Sequence, residues 1–80
     1  MSTAEKVLAV LSDIVESDEV GQDMDLPLYD MNILDSLKTV ELMVKFEENF
    51  GVTIAPAEFE RQQWATPRKI VAYMEGKVGA

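Results

Sequence analysis

Cysteine and histidine are both missing from this chain. Their absence removes disulfides, thiol nucleophiles, imidazole bases and the usual nitrogen or sulfur metal ligands. A small domain without disulfides suits a reducing compartment. Basic residues are scarce, with seven Lys and Arg against fifteen Asp and Glu and a net charge of −8. Such a surface repels phosphate backbones, which argues against nucleic-acid binding and for partners that present Lys and Arg. Plain solubility is the alternative meaning of the same charge. No apolar run approaches a membrane span, and the first ten residues lack the basic region of a secretory signal. The expectation is a soluble, cytoplasmic protein. Gly and Pro are few, and Val, Ile and Thr form no alternating runs, so an all-β fold is disfavoured.

What is present fits one small helical domain, residues 1–80. A chain of eighty residues, 48% apolar, buries only about sixty-odd per cent of its unfolded surface. It cannot keep a core and also enclose a large cleft. Ser2 and Glu5 stand at capping-box spacing before Val7, Leu8, Val10, Leu11, Ile14 and Val15, which predicts a first helix from about Thr3 to Glu16. Ser17 to Asp30 holds Gly21, Pro27 and four Asp but no helical stripe, and reads as a long ordered loop pinned by Val20, Met24, Leu26, Leu28 and Tyr29. Asp23 and Asp25 begin like a calcium loop, but Leu28 and Leu34 stand where its Gly and closing Glu belong. That motif fails.

From Ser36 to Phe50 the helical pattern returns. Leu37, Val40, Met43, Val44 and Glu47 follow one another along one side, and Leu42, Phe46 and Phe50 widen the apolar arc. Glu41 and Lys45 are spaced for an ion pair, and Gly51 is placed to end the helix in left-handed backbone. After the extended Val52-Thr53-Ile54, Pro56 opens a helix of one or two turns reaching about Arg61, with Phe59 inward and Trp64 in the loop beyond. Thr66-Pro67 starts the last helix, whose stripe is Ile70, Val71, Met74 and Val78, with a fraying end at Gly76, Gly79 and Ala80. Met31, Met43 and Met74 serve as core packing. The fold class is all-α: a small four-helix bundle whose third helix is short, with a long loop between helices one and two.

Catalysis has little to stand on. A serine nucleophile needs a base within reach, and there is no His to serve. The carboxylates are a solvated face rather than a pair tuned apart in a pocket. The expectation is a binding or carrying module, not an enzyme. Attention falls on Asp35-Ser36, between the apolar Ile33-Leu34 and the second helix. Read alone, the pair is a helix cap with Ser36 at the helix mouth. If Ser36 has a further role, it is as a residue that is modified.

The run Leu34-Asp35-Ser36-Leu37, followed by Thr39-Val40-Glu41-Leu42, resembles the attachment motif of acyl carrier proteins, and the likeness covers nearly the whole chain. Glu58-Phe59-Glu60-Arg61, then Trp64-Ala65-Thr66-Pro67 and Lys69-Ile70-Val71, resembles the D-alanyl carrier proteins in particular. Fatty-acid carriers usually have Gly at the position of Ile33, and D-alanyl carriers usually have it at Asn32. Asn tolerates left-handed backbone, so that departure is mild.

The resemblance implies 4′-phosphopantetheine esterified to Ser36, with Asp35 beside it recognised by the phosphopantetheinyl transferase. It implies D-alanine carried as a thioester and delivered for D-alanylation of teichoic acids. The partners would be a D-alanine–carrier protein ligase and a membrane-bound O-acyltransferase system at the cytoplasmic face. Leu37, Val40 and Glu41 would contact those partners, and the carrier would act as a monomer. The imported thiol would explain a carrier without cysteine. A carrier for another acyl or aminoacyl group remains open on the residues, as does an acidic interaction module in which Ser36 is an unmodified cap.

Overall fold

The computed structural model describes residues 2–79. They form four α-helices and two 3₁₀ turns, with no strand among the described residues. The first helix, α1, spans Thr3–Val15, and its capping box is formed in both directions: Ser2 Oγ accepts the Glu5 N–H, and Glu5 Oε1 accepts the Ser2 N–H. Glu16, expected inside the helix, instead ends it in left-handed backbone at φ 57°. Val7 and Leu11 are fully buried, while Leu8, Val10, Ile14 and Val15 pack at the edge of the core. Lys6 lies over the Phe50 ring at 5.1 Å, so its stem and charge cover an aromatic face.

The long loop contains a helix that periodicity could not reveal. This is α2, Glu19–Gln22, one turn long. It includes Gly21 and buries a single residue, Val20, which is too little to mark a stripe. The remainder of the loop is tied to the far end of the chain. Leu28 N–H donates to the Ala65 carbonyl, Arg68 N–H donates to the Met24 carbonyl, and the Arg68 side chain grips Asp25 at 2.9 Å. Leu26, Leu28, Tyr29 and Leu34 are buried as a result. Asn32 adopts φ 58°, the left-handed conformation that its residue type tolerates. Met31, expected in the core, is exposed. It falls in the turn formed as Ile33 and Leu34 N–H return to the Leu28 carbonyl, and its side chain points to solvent.

The second predicted helix is α3, Ser36–Phe50, closed by Gly51 at φ 68°. Its boundaries are as expected, but its buried face is not. Thr39, Leu42, Met43 and Phe46 face the core, and Leu37, Val40 and Val44 are exposed. The helix carries two apolar stripes, and the buried one runs through a threonine. The Glu41–Lys45 pair does not form; Lys45 meets Glu48 at 3.8 Å instead. Glu47 accepts the Ile54 N–H at 2.9 Å and holds the extended segment after the helix.

Two 3₁₀ turns, Pro56–Glu58 and Arg61–Trp64, replace the single short helix expected there. The last helix, α4, spans Pro67–Gly79, with Lys69 N–H donating to Thr66 Oγ1 at its start. It continues past Gly76 rather than fraying there; Ala80 lies outside the described residues. Val78, placed in its stripe by spacing, is exposed, whereas Ile70, Val71 and Met74 are buried. α1 lies against both α3 and α4. Trp64 plugs the core where α3, the 3₁₀ turns and α4 meet and is fully buried. Phe46, Phe59 and Tyr73 surround it edge-on at centroid distances of 5.6, 5.3 and 5.7 Å. Its indole N–H has no hydrogen-bond partner among the described residues, an expense of about 1–3 kcal/mol that the apolar burial of the ring must exceed.

Candidate functional site

At the start of α3 the two residues of the Asp35-Ser36 pair have separate duties. Asp35 has extended backbone, φ −138°, and its Oδ1 accepts the Lys38 N–H at 2.8 Å. Asp35 is therefore the cap, and Ser36 is the first residue inside the helix. Ser36 is exposed, and its hydroxyl has no hydrogen-bond partner among the described residues. The reading of Ser36 as the cap is thereby corrected: the side chain that satisfies the helix end is one residue earlier. A free hydroxyl at the first turn, where N–H groups and the helix dipole favour negative charge, is well placed to hold a phosphate ester.

Behind Asp35 a buried hydrogen-bond chain fixes the helix. Thr39 Oγ1 donates to the Asp35 carbonyl at 2.7 Å, and Tyr29 Oη stands 2.7 Å from Thr39 Oγ1. Because the single hydroxyl proton of Thr39 goes to Asp35, the Tyr29 hydroxyl is the donor to Thr39. Burial raises the Tyr29 phenol above its ordinary range, with the Thr39 hydroxyl and the Arg61 charge pulling the other way. Arg61 lies over the Tyr29 ring at 4.4 Å.

These residues open onto a groove of about 430 Å³ between α3 and the 3₁₀ turns, lined by Asp35, Ser36, Thr39, Val40, Phe59 and Arg61 among others. A larger hollow of about 710 Å³ runs along α1 and the turn that follows it, beside Glu5, Asp13 and Glu16. It is wide open and shares no residue with the Ser36 groove. Size is the poorer guide here, because only the smaller groove contains a serine in the first turn of a long helix, with its hydroxyl exposed and unbonded.

Of the residues singled out from the sequence, Asp35, Ser36 and Val40 share the groove, whereas Leu37 and Glu41 lie on exposed parts of the same helix. Leu37 is 70% exposed and Val40 56%, high values for apolar side chains with no function. Tyr29, Thr39 and Arg61 were not predicted as site residues. Thr39 and Arg61 do belong to the motifs quoted above, but hydrophobic spacing treats a buried threonine as a polar position. The seating of Arg61 on Tyr29 joins residues 32 positions apart in the chain.

The family model for the phosphopantetheine attachment site matches residues 5–74. A D-alanyl carrier protein of Listeria monocytogenes is 41% identical over 75 residues, covering 94% of this chain and 96% of the relative. That of Lacticaseibacillus casei is 44% identical over 69 residues, covering 86% and 85%. The Enterococcus faecalis protein is 39% identical over 75 residues, covering 94% and 96%. The chain belongs to the D-alanyl carrier protein family. Membership brings a covalent 4′-phosphopantetheine arm, and the free hydroxyl, the helix start and the adjoining groove all fit such a group. The family carries groups rather than transforming them. Among the described residues there is no cluster of metal-ligating side chains and no helix long and apolar enough to cross a membrane.

Two outcomes follow from the division of labour at the helix start. Asp35→Ala should lower stability by about 0.5–2 kcal/mol in urea denaturation, whereas Ser36→Ala should change it little, since Asp35 keeps the cap. Equal losses would contradict the assignment of the cap. In alkaline titration followed at 295 nm, one phenol should ionise above the ordinary tyrosine range and vanish in Tyr29→Phe. The folded state holds that proton more tightly. The contribution to stability is therefore complete below the unfolded value of about pH 10 and is lost as pH rises through the folded one.

Proposed function

We propose that residues 1–80 act as one carrier domain, with Ser36 bearing the 4′-phosphopantetheine arm and D-alanine as its cargo. The observation that supports this most directly is the exposed Ser36 hydroxyl, unbonded at the first turn of α3, in a chain of this family. The bound arm supplies the thiol that the sequence lacks, which holds D-alanine as a thioester. Everything else falls to the protein: Asp35 fixes the helix start, the α3 dipole favours the phosphate, and the domain presents the cargo to its partners. A small cargo bearing an ammonium needs no apolar tunnel, and an open groove beside Ser36 suffices for it.

The partners in this reading are a D-alanine–carrier protein ligase, a phosphopantetheinyl transferase that recognises Asp35, and a membrane-bound O-acyltransferase system. All meet the carrier in the cytoplasm, and the delivered D-alanine modifies teichoic acid. Leu37 and Val40 would be the apolar anchors for these partners, with Glu41 at their edge to complement basic side chains.

Intact mass of the protein from its native cells, quenched in acid, should show the phosphopantetheine increment and, on some molecules, a further alanine. Ser36→Ala should show neither. A longer acyl group on the arm would reassign the cargo, and an increment that survives in Ser36→Ala would remove the site. For the partner surface, Leu37→Glu and Val40→Glu should each raise the ligase KM for the carrier by roughly tenfold or more while leaving the melting temperature unchanged. Unchanged loading kinetics would place the docking face elsewhere.

A further inference from the structure

Arg61 is the cation of the Ser36 groove, and none of the protein's carboxylates among the described residues is paired with it. Lys6, Lys38 and Lys69 are likewise without an ion-pair partner among the described residues, but Arg61 is the one that lines the groove of Ser36. Arg68 and Lys77 do find partners, in Asp25 and Glu58. Glu58 lies three residues before Arg61 in the chain, yet it is held by Lys77 at 3.0 Å. Asp35, which lines the same groove, has Oδ1 committed to the Lys38 N–H at 2.8 Å. Glu60, its neighbour in the chain, and Asp30, which lines an adjoining groove with it, do not come within 4.0 Å of it either.

Arg61, though exposed, is seated on an aromatic face. Its guanidinium lies 4.4 Å from the centroid of the Tyr29 ring, and the Tyr29 hydroxyl bonds to Thr39, one helical turn on from Ser36. A seated arginine loses less freedom on binding than a free one, and its planar fork suits the oxygens of a phosphate better than a lysine does. Lys38, in the first turn of α3, is the other cation near the serine, but it does not line the groove.

We propose that Arg61 binds the phosphodiester that joins the arm to Ser36, laying the first part of the arm along the groove toward Phe59. This rests on Ser36 as the attachment residue. The contact is a charge-assisted hydrogen bond from guanidinium N–H groups to phosphodiester oxygens, and it requires no change in protonation. Arg61 is thus a positioning residue: it sets the direction in which the arm leaves the helix, while Leu37 stays open to partners.

The test compares wild type, Arg61→Gln and Arg61→Lys, each as unmodified and as modified full-length protein, with mass confirming the arm and circular dichroism the fold. On modification, the Arg61 Nε–Hε resonance of wild type should shift, and about 1 M salt, where the screening length falls to about 3 Å, should reduce that shift. The phosphorus resonance of the modified protein should differ between wild type and Arg61→Gln, with Arg61→Lys between them. An unmoved Arg61 resonance on protein proven to carry the arm would overturn the proposal, as would identical phosphorus resonances in wild type and Arg61→Gln. A raised KM for coenzyme A with unchanged spectra would overturn it too, assigning Arg61 to the transferase step. Absence of the mass increment would instead defeat the reading of Ser36 itself.

Discussion

The hydrogen-bond chain from Tyr29 through Thr39 to the Asp35 carbonyl decides which way α3 faces. The helix has two apolar stripes, and the larger side chains, Leu42, Met43 and Phe46, share theirs with a threonine. Thr39 lies in one of them, and a buried hydroxyl is tolerated only when it is hydrogen-bonded. Its two partners are the Asp35 carbonyl, one turn back, and a tyrosine delivered by the long loop. With Thr39 satisfied, Leu42, Met43 and Phe46 take the core, and Leu37, Val40 and Val44 are left in water. The exposed apolar surface beside Ser36 is therefore a consequence of a polar contact on the opposite side of the helix.

That contact depends in turn on the loop being held. A segment from Ser17 to Asp35 with one helical turn has little stability of its own. It is fastened by backbone bonds to Ala65 and from Arg68, by the Arg68–Asp25 pair, and by Leu26, Leu28 and Leu34 in the core. The exposed ion pair adds little energy in water; its value is in register. Trp64 supplies the mass at the junction of α3, the 3₁₀ turns and α4, at the expense of an unpaired N–H. One large ring in contact with three others is an economical core for so short a chain.

The acidic surface fits a carrier that must be collected by several partners in turn. Long-range attraction speeds encounter with basic partners, and under the proposed function the exposed apolar side chains around Ser36 would provide the contact. Unpaired carboxylates elsewhere cost little because they remain hydrated.

Strong local signals in the chain are enough to read three helices: the capping box at Ser2 and Glu5, the span Ser36–Phe50 closed by Gly51, and Thr66-Pro67 opening the last helix. Each rests on residues within a turn of one another, so no distant partner is needed to read it. The Asp35-Ser36 motif and the Trp64 to Pro67 segment were legible for the same reason, as fixed local spacings. Tertiary structure alone decided the rest. It turned Met31 and Val78 outward, made Asp35 and not Ser36 the cap, split the short helix into two 3₁₀ turns, and chose between the stripes of α3. That last choice rested on Tyr29, ten residues from Thr39, and the seating of Arg61 rested on the same ring. Hydrophobic spacing counts apolar residues along one element, and it cannot register a hydroxyl whose burial is made acceptable by a side chain from another.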